Sequence, residues 1–491
     1  MNQIKRKIVI KVVGMLTLIE GLALLPCSAV SYFMDEPREY ISISATCLIY
    51  IVLGWFLLRT LRHYKLTLRV YEGYFIATLC WVYCSVMGAV PFFVSGNGYS
   101  IIQSIFEATA GFTTTGCTVM DLDAMPRGLI MWRAVSNWLG GMGILVLVAS
   151  VLPALGIGGQ SMAMTETTGP SLEKVGGKFS STGQFLYVTY SFFSIVEFIL
   201  LALGPLSVFD AFVNTCSSIS TGGLLVTAEN AASFTTVYVR TVIIIFTLLS
   251  SMNYILYYHM ISGRRNALYD NVEVRGFWLI IIIATLLITF DLLHEKIYTN
   301  AALAFKDSIS QVISFISTSG YYVCDYSQWP AFTTVVLFTL LIIGGCSMST
   351  SGSLKVIRII VFFKMIQRSI FRQIHPNSVK AIKIGGKAVP ADKAAEITAH
   401  ILLYFLVLFF SFLVIGLNNF DMTTTITSVI GAFTNTGLAL GGPGCTGYYG
   451  MFSEFSELYF AFLMIVGRLE MFAVIILFTK SFRNINKAEQ L

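Results

Sequence analysis

The sequence predicts an all-α polytopic membrane protein: four helix–half-helix–helix repeats in a pseudo-fourfold arrangement around one pore, preceded by two additional transmembrane helices. Three observations lead there. Of 491 residues, 56% are hydrophobic and only 12% charged, and the mean hydropathy is +0.76, which excludes an ordinary soluble domain. A short motif of hydroxyl residues and glycine recurs four times, each copy after a half-length apolar segment and before a long one. Lys and Arg collect in clusters that a single topology puts on one side.

Taken in order, Lys5-Arg6-Lys7 precede an apolar run over residues 8–33. Cys27-Ser28-Ala29 resembles a signal cleavage site, but the run is long for a signal sequence and reads as a retained helix carrying Glu20. A second helix over 41–58 completes an N-terminal unit, residues 1–69. The first repeat, 70–180, has a helix over 71–94, a half-helix over 101–110 and a long helix over 129–155. The second, 181–275, has the corresponding segments at 185–203, 210–219 and 237–261. The third, 276–395, has them at 277–293, 301–316 and 333–371. The fourth, 396–491, has them at 397–417, 423–433 and 458–479. Full crossings are then even in number and both termini share a side.

Charge orients the chain. The basic clusters at 5–11, 59–69, Lys174 and Lys178, 264–275, 364–393 and 480–487 all fall on the side of the termini, which is therefore cytoplasmic. Asp35, Glu36, Asp121, Asp210, Asp421 and Glu454 lie opposite, and an acidic outer face raises the local cation concentration. The basic face is accounted for by topology and anionic lipid headgroups, with no nucleic acid.

The recurring motif is Phe112-Thr113-Thr114-Thr115-Gly116-Cys117, with relatives Ile219-Ser220-Thr221-Gly222-Gly223, Ile316-Ser317-Thr318-Ser319-Gly320 and Phe433-Thr434-Asn435-Thr436-Gly437. A hydroxyl residue precedes a glycine in each: Thr115, Thr221, Ser319 and Thr436. One Thr-Gly pair is an ordinary turn. Four, each ending a segment too short to cross a bilayer, need protein or a watery cavity around them. Glycine reaches backbone angles that let successive carbonyls share one direction, and a ring of carbonyls can replace a cation's hydration shell.

Two other stretches stand out. Gly344-Gly345-Cys346-Ser347-Met348-Ser349-Thr350-Ser351-Gly352-Ser353 interrupts the last helix of the third repeat. Glycines weaken a helix there, and hydroxyls offer the backbone other partners. Such a stretch lines a cavity or forms a close helix contact. Gly140-Gly141-Met142-Gly143, at the same depth in the first repeat, reads as packing. Arg468 lies inside the last apolar helix; such a charge faces a cavity or pairs with another helix, for instance through Glu20 or Glu197. Glu470, two residues on, points elsewhere.

Together these features resemble the Trk/Ktr/HKT superfamily of potassium transporters over essentially the whole chain. The two additional N-terminal helices are similar to the TrkH branch. The resemblance implies a K⁺ selectivity filter at Gly116, Gly222, Gly320 and Gly437, with Thr114, Thr115, Ser220, Thr221, Thr318, Ser319, Asn435 and Thr436 before them. Relatives that admit mainly Na⁺ have serine at the first glycine, so Gly116 favours K⁺. It further implies a gate made of Gly344, Gly345, Cys346, Ser347, Ser349, Thr350, Ser351 and Gly352 with Arg468, and a homodimer in a bacterial cytoplasmic membrane. A cytosolic TrkA-type regulatory subunit would bind ATP, ADP or NAD on this chain's behalf, because no GxxxxGK or strand-flanked GxGxxG occurs here. Passive flux and coupling to H⁺ or Na⁺ both fit.

Other chemistry finds no support. No GxSxG or HExxH occurs, and the five histidines are scattered, so neither an enzyme nor a zinc site is expected. The nine cysteines are scattered over apolar segments and read as small core residues. Repeats of one orientation favour a pore over the inverted repeats of many secondary transporters.

Overall fold

The computed structural model describes residues 3–61, 66–67, 70–143, 157–158, 179–224, 236–321, 323–378, 381–444 and 446–479. Cys445, Lys174, Lys178, the cluster at 480–487, part of 59–69 and the stretch 144–155 lie outside them.

Helices α1 (Gln3–Phe33) and α2 (Pro37–Thr60) form an antiparallel pair. Their link braces the first repeat. The Glu36 carboxylate accepts the backbone N–H groups of Arg127 at 2.6 Å and Gly128 at 3.1 Å, which satisfies the first donors of the helix that begins there. The Tyr50 hydroxyl donates to the Met87 carbonyl at 2.7 Å, tying α2 to the same repeat.

Each repeat then has an outer helix, a short inner helix and a second long element. The first has α3 (Val70–Gly88) with its short extension α4 (Val90–Val94), then α5 (Ile101–Phe112) and α6 (Arg127–Gly141). The second has α7 (Phe179–Ala202), α8 (Val208–Ile219), then α9 (Val237–Ser250) and α10 (Tyr254–Ile261). The connecting turn α11 (Ala267–Asp270) leads into the third, with α12 (Val272–His294), α13 (Ala301–Ile316), then α14 (Ala331–Ile343) and α15 (Val356–Ile374). The fourth has α16 (Ala391–Gly416), α17 (Met422–Phe433), then α18 (Glu454–Arg468) and α19 (Phe472–Phe478). Six helical spans are long and apolar enough to cross a membrane, and two bent pairs bring the number to eight among the described residues. Two-residue strands pair 66–67 with 157–158 and 383–384 with 387–388.

The short helices α5, α8, α13 and α17 start alike. Ser100, Ser207, Asn300 and Asp421 cap them, each side chain accepting a backbone N–H of the first turn. Each packs against both long elements of its own repeat and against the second long element of the repeat before it, the fourth preceding the first. The arrangement is cyclic.

The second long element is broken in the second, third and fourth repeats, and in the first its described part stops at Gly141. The sequence predicts unbroken helices over 237–261 and 458–479, and packing alone at Gly140-Gly141. Instead α6 stops at Gly141, α9 and α10 meet at 87°, and α18 and α19 meet at 111°. The physical reasons are local. Asn253 caps α10 by accepting the Ile255 N–H at 2.9 Å. Glu470 and Met471 both take positive φ, 54° and 61°, which no helix accommodates. The break in the third repeat, over 344–355, agrees with the sequence reading. Seven of the expected core cysteines are buried and Cys324 is half-buried.

Candidate functional site

The four short helices end in one motif. After α5 the Thr114 N–H reaches the Gly111 carbonyl and the Thr115 N–H reaches that of Ala110. The same pair of bonds is made by Thr221 and Gly222, by Thr318 and Ser319, and by Asn435 and Thr436. This is the Schellman ending, whose left-handed position is usually glycine. Here it holds Thr114, Thr221, Thr318 and Asn435, with φ from 54° to 56°. A side chain costs roughly 1 kcal/mol in that region. Three of these four side chains make cross-contacts in return. Thr114 Oγ1 accepts from Arg468 at 3.1 Å, Thr318 Oγ1 accepts the Gly352 N–H at 2.7 Å, and Asn435 donates to the Met464 carbonyl at 2.9 Å.

Two residues further on from each lies a glycine of positive φ: Gly116, Gly223, Gly320 and Gly437. The second repeat thus differs from the sequence reading. Gly223, not Gly222, matches the other three glycines, and Gly222 takes the place held elsewhere by Thr115, Ser319 and Thr436. A hydroxyl before the glycine is therefore kept in three repeats only. The sequence carried a signal for this, since each matching glycine lies four residues after the helix-ending Phe112, Ile219, Ile316 or Phe433.

These glycines close a ring. A Cβ on Gly116 would collide with the Gly222 carbonyl oxygen, one on Gly223 with that of Ser319, one on Gly320 with that of Thr436, and one on Gly437 with that of Thr115. Each loop is seated flush on the next, and the fourth on the first. The four helices point their C-terminal ends, each with about half a negative charge, at this ring. Such a site is suited to a cation.

Beside the ring lies the loop 344–355. Cys346 N–H donates to the Ser251 carbonyl at 3.0 Å, and Thr350 N–H to that of Ser250 at 3.3 Å, so the loop rests on the break of the second repeat. Gly344, Gly345, Ser347, Ser349, Ser351 and Gly352 belong to the same loop. A Cβ on Gly352 would strike the Thr434 carbonyl, and one on Gly345 would meet the Ser351 hydroxyl. Arg468, at the break of the fourth repeat, donates to the carbonyls of Thr350 at 2.9 Å and of Gly140 and Gly141 at 2.7 Å each. It thereby joins the third-repeat loop to the C-terminal end of α6, where the helix dipole favours a cation. Of the carboxylates considered from sequence, Glu197 accepts the Ser218 hydroxyl at 2.5 Å, and Glu470 pairs with Arg358.

Sequence reasoning also missed a buried ion pair. Glu107 on α5 meets Arg133 on α6 and accepts the Thr118 hydroxyl at 2.9 Å and the Val119 N–H at 3.3 Å. It clamps the segment that leaves the first loop. Arg133→Met leaves a buried carboxylate without its cation, and should lower stability by about 3–5 kcal/mol. The check is the thermal midpoint of detergent-purified protein; a midpoint within a degree or so of the parent would remove the clamp from the account.

Spanning helices around a cation-suited ring define a polytopic membrane transport protein. Residues 41–487 match the model of the TrkH family, described as cation transport protein, and the chain belongs to that family. It is 30% identical over 486 residues to the Trk system potassium uptake protein TrkG of Escherichia coli, covering 98% of this chain and 99% of the relative. It is 31% identical over 477 residues to TrkH of Salmonella typhimurium, covering 96% and 98%. The crystal structure of the potassium transporter TrkH from Vibrio parahaemolyticus superimposes with a TM-score of 0.85 at 27% identity, over 97% of this chain and 99% of that one.

Proposed function

We propose that this chain takes up K⁺ across a bacterial cytoplasmic membrane through one channel-like pore. The observation that carries this reading is the closed ring, in which each repeat's glycine is seated against the next repeat's carbonyl. Thr114, Thr115, Gly116, Ser220, Thr221, Gly222, Gly223, Thr318, Ser319, Gly320, Asn435, Thr436 and Gly437 form the selectivity filter, and backbone oxygens bind the dehydrated ion. The names of the relatives, potassium uptake proteins of Trk systems, support K⁺ as the ion. An inside-negative potential contributes roughly 2.3 kcal/mol per charge per 100 mV, enough to drive uptake without a co-substrate.

The loop 344–355 and Arg468 form the gate. A cationic guanidinium beside the ring opposes passage of a second cation: at 4 Å the repulsion is about 4 kcal/mol at an effective dielectric constant of 20. Both termini face the cytoplasm, as the basic clusters indicate. The exposed basic residues after α15 form part of a docking face for a cytosolic TrkA-type nucleotide-binding subunit, and the membrane subunit works as a homodimer. "System" in the relatives' names is consistent with more than one component.

The test is K⁺ and Na⁺ flux into proteoliposomes holding this chain alone. K⁺ flux well above Na⁺ flux is expected. Equal flux of both ions would refute the filter reading, and no flux before or after addition of the cytosolic partner would refute the pore.

A further inference from the structure

The first residue turn of α12 carries Glu273, only 3% exposed. Its helix start is capped by Asn271, which accepts the N–H groups of Glu273 at 2.8 Å and Val274 at 3.2 Å. The Glu273 carboxylate is therefore free to face outward from its own helix. One oxygen accepts the backbone N–H of Ser347 at 2.6 Å and that of Ile357 at 3.2 Å, and the other accepts the Ser347 hydroxyl at 2.6 Å. Ser347 stands near the start of the loop 344–355, and Ile357 lies in the first turn of α15 beyond its end. One carboxylate thus grips both ends of the loop.

The neck it grips is already narrow. Val356 N–H donates to the Gly345 carbonyl at 3.0 Å, and Leu354 N–H to that of Ile342 at 3.4 Å. Inside the neck the backbone is held in unfavourable angles, with positive φ at Met348 (56°), Ser353 (68°) and Lys355 (76°). Strain of this kind persists only where surrounding contacts over-determine it. Apart from bonds within the loop and its neck and a contact of Ser353 with the Tyr404 hydroxyl, the contacts are of two sorts. Those to Ser250, Ser251, Thr318 and Arg468 come from other breaks and from the ring; that from Glu273 comes from the outer helix of the loop's own repeat.

We propose that Glu273 is a positioning residue that latches the loop in its flux-blocking shape, a role that rests on the reading of 344–355 as the gate. Its carboxylate accepts all three donors at once. An amide of the same shape keeps one oxygen for the two backbone N–H groups and turns its NH2 toward the Ser347 hydroxyl, which can accept, so what it loses is the negative charge that strengthens all three bonds. Glu273→Gln therefore weakens the latch without emptying its space. Opening the loop exchanges these bonds for others, so the substitution shifts the closed–open equilibrium toward open.

The experiment compares K⁺ flux per folded molecule in proteoliposomes for the parent, Glu273→Gln and Ser347→Ala. Glu273→Gln is expected to raise flux about tenfold, the effect on a two-state equilibrium of turning charge-assisted hydrogen bonds into neutral ones. Ser347→Ala, which deletes the hydroxyl bond and keeps the backbone one, should raise it less. The K⁺ over Na⁺ ratio should hold in both, since the ring is untouched. Maleimide labelling supplies a readout that a purely structural role would not move selectively. Cys346 adjoins the latch and is buried, so its labelling should rise in Glu273→Gln, with the Cys346→Ala version as blank.

Flux at or below the parent level, with Cys346 no more reactive, overturns the latch. Arg468→Ala separates the two readings. If it raises flux while Glu273→Gln does not, the gate stands and Glu273 has no part in it. If neither does, the loop is not the gate. Should Glu273→Gln fail to fold, Ser347→Ala tests the same bond by itself.

Discussion

Gly223→Ala is expected to abolish the preference for K⁺ over Na⁺, whereas Gly222→Ala should spare most of it. Gly223 has a φ of 57°, where a Cβ costs about 1–2 kcal/mol, and that Cβ would also collide with the Ser319 carbonyl oxygen. Relief requires moving a carbonyl of the ring. Gly222 lacks a positive φ, and a Cβ there meets the Asn137 side chain instead of backbone. Asn137 can turn, at the expense of its 2.5 Å bond from the Ser220 hydroxyl. By the same argument Gly116→Ser, at φ 79° and against the Gly222 carbonyl, should behave like Gly223→Ala. The measurement is the K⁺/Na⁺ flux ratio in proteoliposomes. A ratio lost in Gly222→Ala and kept in Gly223→Ala would show that the repeats are matched in the wrong register.

The second large effect belongs to Arg468. Arg468→Ala removes donors to Thr350, Gly140, Gly141 and Thr114 together. Each charged hydrogen bond is worth about 1.5–3 kcal/mol, but only those that differ between closed and open shapes act on the equilibrium. One such difference gives roughly tenfold more flux. Removal of the positive charge acts in the same direction by lowering the repulsion that a passing cation meets. Arg468→Lys should fall between the two, because a point charge cannot serve carbonyls from two repeats with a planar fork. K⁺ flux that stays at the parent level in Arg468→Ala, with the ion preference unchanged, would leave the arginine a structural role only.

The class of fold and the order of its parts were legible before any contact was known. Apolar runs of bilayer length, half-length segments ending at Thr-Gly motifs and one-sided basic clusters are local features, readable without contacts. They yielded the outer helices to within several residues and the short helix at 301–316 without error. The third-repeat break was legible because glycine and serine are dense there. The breaks at Ser250–Ser251 and at Glu470–Met471 were not. Apolar residues flank both, and what bends the chain is a side-chain cap in one case and two left-handed residues in the other.

Which glycine of the Gly222-Gly223 pair belongs to the ring emerged from packing between repeats, because both fit the motif and a neighbouring repeat's carbonyl excludes a Cβ at Gly223 for reasons of space and backbone angle. Packing alone decided the partners of buried charge. Arg468 finds carbonyls, Glu470 finds Arg358, Glu107 finds Arg133, and Glu273 finds the ends of a loop far along the chain. Periodicity and composition record how a segment meets its solvent. Which oxygen a buried donor reaches depends on how the repeats close on one another, and that is settled when they pack.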